Sequence, residues 1–190
     1  KKINPLLKIK KTPSNTKVFD WKIPLEWNVK DAYIQDKKGK KVLNFKDNNL
    51  HLMGYSVPFR GSVSYKKLTE KINFIKSRPN AIPYTTSYYK KRWSFNMSFS
   101  KFKKLKKNEE YFVNINSNLT KGNINYGEIF FPGKYKKEIL ISTYICHPSM
   151  ANNELSGPAV SIFLSKWLCK KKRKFSYRFI FIPETIGSIN

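Results

Sequence analysis

Two short polar words, each placed directly behind an apolar run, hold the residues of this 190-residue chain that are equipped for chemistry. Ile139-Leu140-Ile141-Ser142-Thr143-Tyr144-Ile145 leads into Cys146-His147-Pro148-Ser149, and Tyr177-Arg178-Phe179-Ile180-Phe181-Ile182 leads into Pro183-Glu184-Thr185-Ile186-Gly187-Ser188. An imidazole and a carboxylate brought together can hold a divalent metal, with the carboxylate as a second ligand or as the base that takes a proton from an attacking water. Spacing alone also permits a hydrogen-bonded structural histidine, so both readings stand at this point. Other inventories fail. His51 and His147 are the only histidines, every Asp (Asp20, Asp31, Asp36, Asp47) precedes residue 50, and no Gly-x-Ser-x-Gly elbow occurs, which leaves no basis for a serine triad. No Walker or Rossmann glycine pattern is present. Cys146 adjoins His147, but neighbours along a strand point to opposite sides; a buried structural thiol is expected there rather than a Cys–His dyad.

The elements that must position these words are the clearest in the chain. Residues 139–145 and 177–182 are nearly unbroken β-prone apolar runs, the pattern of strands covered on both faces. Between them Val160, Phe163, Leu164, Trp167 and Leu168 recur at helical spacing, so Gly157 to Cys169 is expected to be an amphipathic helix. Ser156-Gly157 should start it close to the sheet, and Lys170 to Lys174 should offset the dipole at its end. A helix between two such strands is a right-handed crossover joining parallel neighbours, which puts His147 and Glu184 on one sheet edge, where open α/β sheets do their chemistry.

Upstream, Ala32-Tyr33-Ile34, Val42-Leu43-Asn44-Phe45 and Leu50-His51-Leu52-Met53 read as strands of a meander, with Lys38-Gly39-Lys40 as a hairpin tip. Ser64 is a candidate cap for a helix presenting Leu68, Ile72 and Ile75 on one face and ended by Arg78-Pro79. A short basic helix is expected from Phe99 to Lys107. Tyr111 to Ile115 and Ile124 to Phe131 read as strands paired with each other. The run Tyr84, Tyr88, Tyr89, Lys90, Lys91, Arg92, Trp93 suits a small local core with a snorkelling basic rim, ahead of a substrate-facing wall or a surface that stacks nucleic-acid bases.

Composition bounds the partners. Against 12 acidic residues stand 38 basic ones, a net charge of +26. Arg occurs only at Arg60, Arg78, Arg92, Arg173 and Arg178. Arg is the residue that reads phosphates and base edges bidentately, so a charge carried by scattered Lys is read as a solvated surface rather than a nucleic-acid interface. Cys146 and Cys169 make no disulfide framework, which fits a reducing cytoplasm. No apolar run has membrane-spanning length. The chain begins at Lys1 and stops at Asn190 just after a strand exit, so truncation at both ends is expected.

Several longer words carry a resemblance. They are Lys17-Val18-Phe19-Asp20-Trp21, Glu26-Trp27-Asn28-Val29-Lys30-Asp31-Ala32-Tyr33-Ile34, Ala81-Ile82-Pro83-Tyr84, Thr86-Ser87-Tyr88-Tyr89, Ser142 through Ser149, Leu155-Ser156-Gly157-Pro158 and Pro183 through Ile189. Together they resemble a bacterial aminopeptidase-like domain family associated with polysaccharide biosynthesis, itself similar to the dinuclear zinc exopeptidases. The resemblance implies an α/β fold, part of a phosphorylase/hydrolase-like mixed sheet with helices. A smaller α+β insertion would interrupt it: residues 1–56 and 134–190 belong to the aminopeptidase-like domain and 57–133 to the insertion. It implies zinc as cofactor, His147 and Asn153 as metal residues, Glu184 as catalytic base, and a peptide or amino-group-bearing small molecule as substrate.

Asn153 stands where the exopeptidases keep a bridging Asp, and Thr185 where they keep a ligating Glu. A carboxamide offers one neutral oxygen and cannot offset the charge of a second zinc. Glu154 has the missing charge but lies one position away. The remaining ligands of a dinuclear centre are expected downstream of Asn190, so the chain alone is expected to be inactive. The open alternatives are a zinc-dependent hydrolase acting on an amide or peptide bond and a non-catalytic binding module on the same scaffold.

Overall fold

The computed structural model describes residues 6–88, 90–147 and 150–189. Pro148 and Ser149 of the first polar word, Tyr89 of the aromatic run, and the first five residues of the basic start lie outside them. The chain forms two compact units, one made of the segment up to Glu26 and the segment from Lys121 onward, the other of Trp27–Thr120.

The first unit carries β1 (Lys8–Pro13), β2 (Lys17–Val18) and β3 (Trp21–Lys22) from its early segment. The second begins with β4 (Glu26–Gln35) and β5 (Lys41–Asn44), followed by β6 (Phe59–Ser64), α1 (Tyr65–Thr69), β7 (Ile72–Asn73), β8 (Phe95–Asn96), α2 (Phe99–Phe102) and β9 (Glu110–Thr120). The first unit then resumes with β10 (Asn123–Phe131), β11 (Glu138–Tyr144), α3 (Asn152–Cys169), β12 (Ser176–Ile182) and α4 (Ile186–Ile189).

The second unit is built on a four-stranded sheet in the order β5-β4-β9-β6. β4 and β5 pair antiparallel around the expected tip. Gly39 takes φ +79°, and the Asp36 carboxylate accepts the N–H groups of Lys38 and Lys40, both at 2.9 Å. Ala32, Ile34, Leu43, Val113 and Ile115 turn inward onto Leu68, Phe95 and Met97 to make this unit's core. β4 and β5 share a sheet with β6 and β9, and compactness divides the chain at Glu26 and Thr120. Trp93 packs on Phe59, ring centroids 4.6 Å apart, and the Lys71 ammonium lies over it.

Four local expectations differ here, the first being the basic helix expected over Phe99–Lys107, which ends at Phe102. Ser64 does cap α1, accepting the Lys67 N–H, but the helix ends at Thr69. Ile72 instead enters β7, which pairs parallel with β8 and is held by the Phe95 N–H on Lys71 O. Long-range pairing overrides a short helical pattern. Leu50 to Met53 is a 3-10 turn over Asn49–His51 followed by a single bridge, started by the Asn48 side chain on Leu50 N. Tyr111–Ile115 and Ile124–Phe131 are strands, but they sit in different sheets: β9 lies between β4 and β6, and β10 between β1 and β12.

The first unit's sheet has the order β1-β10-β12-β11, with β11 and β12 parallel and the other pairs antiparallel. The mixed α/β class and the strand–helix–strand unit are as expected. β12 is largely buried, with Phe179 at 0% exposure, and packs with Ile129, Phe131 and Leu168. β11 is not covered on both faces: it is the terminal strand, and Leu140 is 60% exposed.

The face that α3 turns to the sheet is also a correction. Val160, Phe163, Leu164 and Trp167 are exposed, Phe163 at 71%, while Ser161, Ser165 and Leu168 are buried. These buried positions continue the row begun by Gly157. A Cβ on Gly157 would stand 2.2 Å from Thr143 Oγ1, so the small-residue face lets the helix sit hard against β11. At the helix end Arg173 Nη1 donates to the carbonyls of Leu168 (2.7 Å) and Lys171 (2.8 Å), so the basic tail acts through a direct cap.

Candidate metal and hydrolytic site

β11 and β12 run in parallel register, Tyr144 opposite Ile182, and the Ile145 N–H extends the ladder onto Ile182 O at 2.9 Å. Pro183 has no N–H with which to continue it, so both chains leave the sheet together. Two residues further on each, Cys146 meets Glu184: the Glu184 N–H donates to Cys146 Sγ at 3.2 Å. This register delivers His147 and Glu184 to one place, with His147 Nε2 3.2 Å from Glu184 Oε2.

The third member is Glu154. α3 is not helical at its start: Asn153 is extended (ψ 128°) and Glu154 takes φ +84°. Side-chain-bearing residues rarely adopt that region. The turn buries the Glu154 carboxylate and places Oε1 2.6 Å from His147 Nδ1. The same carboxylate accepts the backbone N–H groups of Cys146 and His147. Burial opposes its ionisation, but these hydrogen bonds and the imidazole outweigh it and hold Glu154 below the ordinary carboxylate range. Asn153, one residue away, is exposed. Thr185 takes φ +53° in the turn that leads into α4.

Both nitrogens of His147 therefore face carboxylates. A neutral imidazole has one N–H, so one of the two contacts calls for a second proton or a cation. Cys146 Sγ, His147 Nδ1 and one Glu154 oxygen also lie within 4.8 Å of one another, a soft, an intermediate and a hard donor of the kinds zinc accepts. These donor types, with His147 Nε2 and Glu184 Oε2 3.2 Å apart, suit a divalent cation on the Nε2 side of the ring. β11 ends at Tyr144, so the alternation expected along a strand does not separate Cys146 from His147; the Cys146 sulfur is 3.7 Å from Nδ1. Burial pushes the Cys146 thiol above its ordinary value, and the Glu154 and Glu184 carboxylates add to this, which keeps it a neutral thiol rather than a nucleophile. The Tyr144 ring stands perpendicular to the imidazole, 6.4 Å between centroids.

Sequence reasoning brought His147 and Glu184 together but set Glu154 aside because its position is shifted by one. The available signal was its rarity, an acid at the start of a helix in a chain with 12 acidic residues. Among the described residues no helix is long and apolar enough to cross a membrane.

A Clostridium acetobutylicum protein named for polysaccharide biosynthesis and an aminopeptidase-like domain is 49% identical over 183 residues, 96% of this chain and 42% of that protein. A crystal structure from Clostridium acetobutylicum, named as a peptidase, superposes with a TM-score of 0.91 at 49% identity, over 96% of this chain and 43% of that one. A zinc aminopeptidase from Bacillus subtilis shares the fold, with a TM-score of 0.59 at 13% identity over 96% of this chain and 53% of its own. The chain thus spans less than half the length of the curated relative it matches. A shared fold with the zinc aminopeptidase agrees with the α/β frame, and residues 1–190 match the family described as Domain of unknown function (DUF4910), to which the chain belongs.

Proposed function

We propose that this chain is part of a zinc-dependent aminopeptidase-like hydrolase acting on an amide or peptide bond of a peptide or amino-bearing small molecule in the cytoplasm. The convergence of His147 Nε2 and Glu184 Oε2 at 3.2 Å supports this reading most directly. When bound, zinc supplies Lewis acidity toward a carbonyl and acidifies water. His147, Glu184 and, through its amide oxygen, Asn153 are the residues that would hold or border it. Glu184 keeps its side chain 45% exposed, so its carboxylate is reachable by water and substrate and can take a proton as general base.

A second reading, a binding module without catalysis, is favoured by two observations: Asn153 contributes no charge, and Thr185 offers a hydroxyl where the fold relatives implied by the resemblance keep a carboxylate. Equilibrium dialysis against zinc, combined with assay of the gene product for release of an amino-terminal residue from peptide amides, separates the two. The hydrolase reading expects zinc retained by the wild type and lost in His147→Ala, with hydrolysis down at least about 100-fold in Glu184→Gln. Zinc retention without hydrolysis supports the binder, and no zinc retention at all rejects the hydrolase.

A further inference from the structure

We propose that Glu154 is a positioning residue, whose carboxylate holds His147 in the tautomer with its proton on Nδ1 and so aims the Nε2 lone pair toward Glu184. The inference rests on the metal-centred reading above and assigns a role to a residue that the motif leaves out.

The two carboxylates on His147 are not equivalent. Glu154 Oε1 lies 2.6 Å from Nδ1, a short hydrogen bond of the strong kind that an ionised acceptor makes. Two donors sharing one tetrahedral zinc stand roughly 3.3 Å apart, given metal–ligand distances near 2 Å. The Nδ1 side is too close for shared coordination, whereas the 3.2 Å between Nε2 and Glu184 Oε2 matches it. Glu154 is also already engaged, accepting the N–H groups of Cys146 and His147 as well as the ring. Glu184 is the more exposed carboxylate, 45% against 7% for the Glu154 side chain. Finally, Glu154 is held at φ +84°, a conformation that persists only where its surroundings over-determine it. A carboxylate behind an imidazole is the arrangement that fixes which nitrogen stays free for a metal.

Long-range nitrogen–proton correlation on the 15N-labelled, metal-free chain reads the tautomer directly. Only two imidazoles are present, and His51→Gln identifies the second. Spectra are taken at rising pH until the neutral ring is reached. The Nδ1–H form is expected in the wild type, with a shift toward Nε2–H in Glu154→Gln, recovery in Glu154→Asp, and a loss of about 10–100-fold in zinc affinity for Glu154→Gln. A wild-type ring protonated on Nε2, or an unchanged tautomer in Glu154→Gln, overturns the proposal. So does a thiolate-to-metal charge-transfer band on adding cobalt, which would place the cation on the Cys146, His147 Nδ1 and Glu154 side. If Glu154→Gln does not fold, as judged by circular dichroism, the wild-type tautomer decides alone. If the wild type binds no zinc, the metal reading fails, while the tautomer still judges Glu154.

Discussion

Around His51 the polar partners are neutral. Its Nδ1 lies 2.9 Å from the Asn96 carbonyl oxygen, and Asn96 Nδ2 donates to Leu50 O at 2.9 Å. Asn96 Oδ1 accepts from Asn73 (3.0 Å) and Thr85 (2.7 Å). His51 and Asn96 are 5% and 1% exposed. Around His147 both nitrogens face carboxylates, and two residues of the surrounding turns, Glu154 and Thr185, hold positive φ. Both clusters are partly or wholly buried and hydrogen-bonded, yet only the second combines carboxylates, backbone strain and an exposed member. Burial with satisfied neutral partners specifies a core, whereas concentrated carboxylates and stored strain around a titratable ring are what a working site needs.

The sharpest way to break this comparison is Asn96→Ala. It removes the partner of the Leu50 carbonyl and the acceptor shared by Asn73 and Thr85, and should destabilise the Trp27–Thr120 unit by about 3 kcal/mol in urea unfolding while leaving zinc affinity unchanged. A change in zinc affinity would mean that the neutral cluster is not purely structural.

Next comes Gly157→Ala, whose Cβ meets Thr143 Oγ1 at 2.2 Å. It should destabilise by about 1–2 kcal/mol and weaken zinc binding, because the start of α3 carries Glu154. Adding Thr143→Ala should return part of both, giving a coupling measurable by a double-mutant cycle.

The third test uses pH. Burial is the largest influence on His51 and pushes its imidazole below the ordinary 6.5. Between that lowered value and 6.5 the unfolded chain binds more protons than the folded one, so this contribution is full above 6.5 and declines as pH falls through the window. His51→Gln removes it. The stability gap between wild type and variant should therefore narrow on acidification, and a gap independent of pH would contradict the neutral buried assignment.

The smallest effect is expected for Phe163→Ser. At 71% exposure it should change stability by no more than about 0.5 kcal/mol. A loss of about 3–5 kcal/mol would instead restore the apolar stripe as the docked face.

What was readable in advance follows physical range. The runs at 139–145 and 177–182 announce strands through local composition, and their parallel pairing follows from the helix between them. The helical period at 157–169 was equally plain. Which face of that helix docks was not, because the apolar stripe argues for one side and the close approach permitted by Gly157, Ser161 and Ser165 selects another. The α1 pattern failed for the same kind of reason, since the pairing of Ile72 with Phe95 depends on residues far along the chain.

The chain's own order of residues determined the chemical inventory at the sheet edge, His147 behind one strand and Glu184 behind the next, because strands and crossover connections obey local periodicity and handedness. Only the tertiary structure decided that Glu154 rather than its neighbour Asn153 meets the imidazole. One residue at φ +84° reverses the direction of a side chain, and such a dihedral is selected by packing and hydrogen bonds around it, not by residue type.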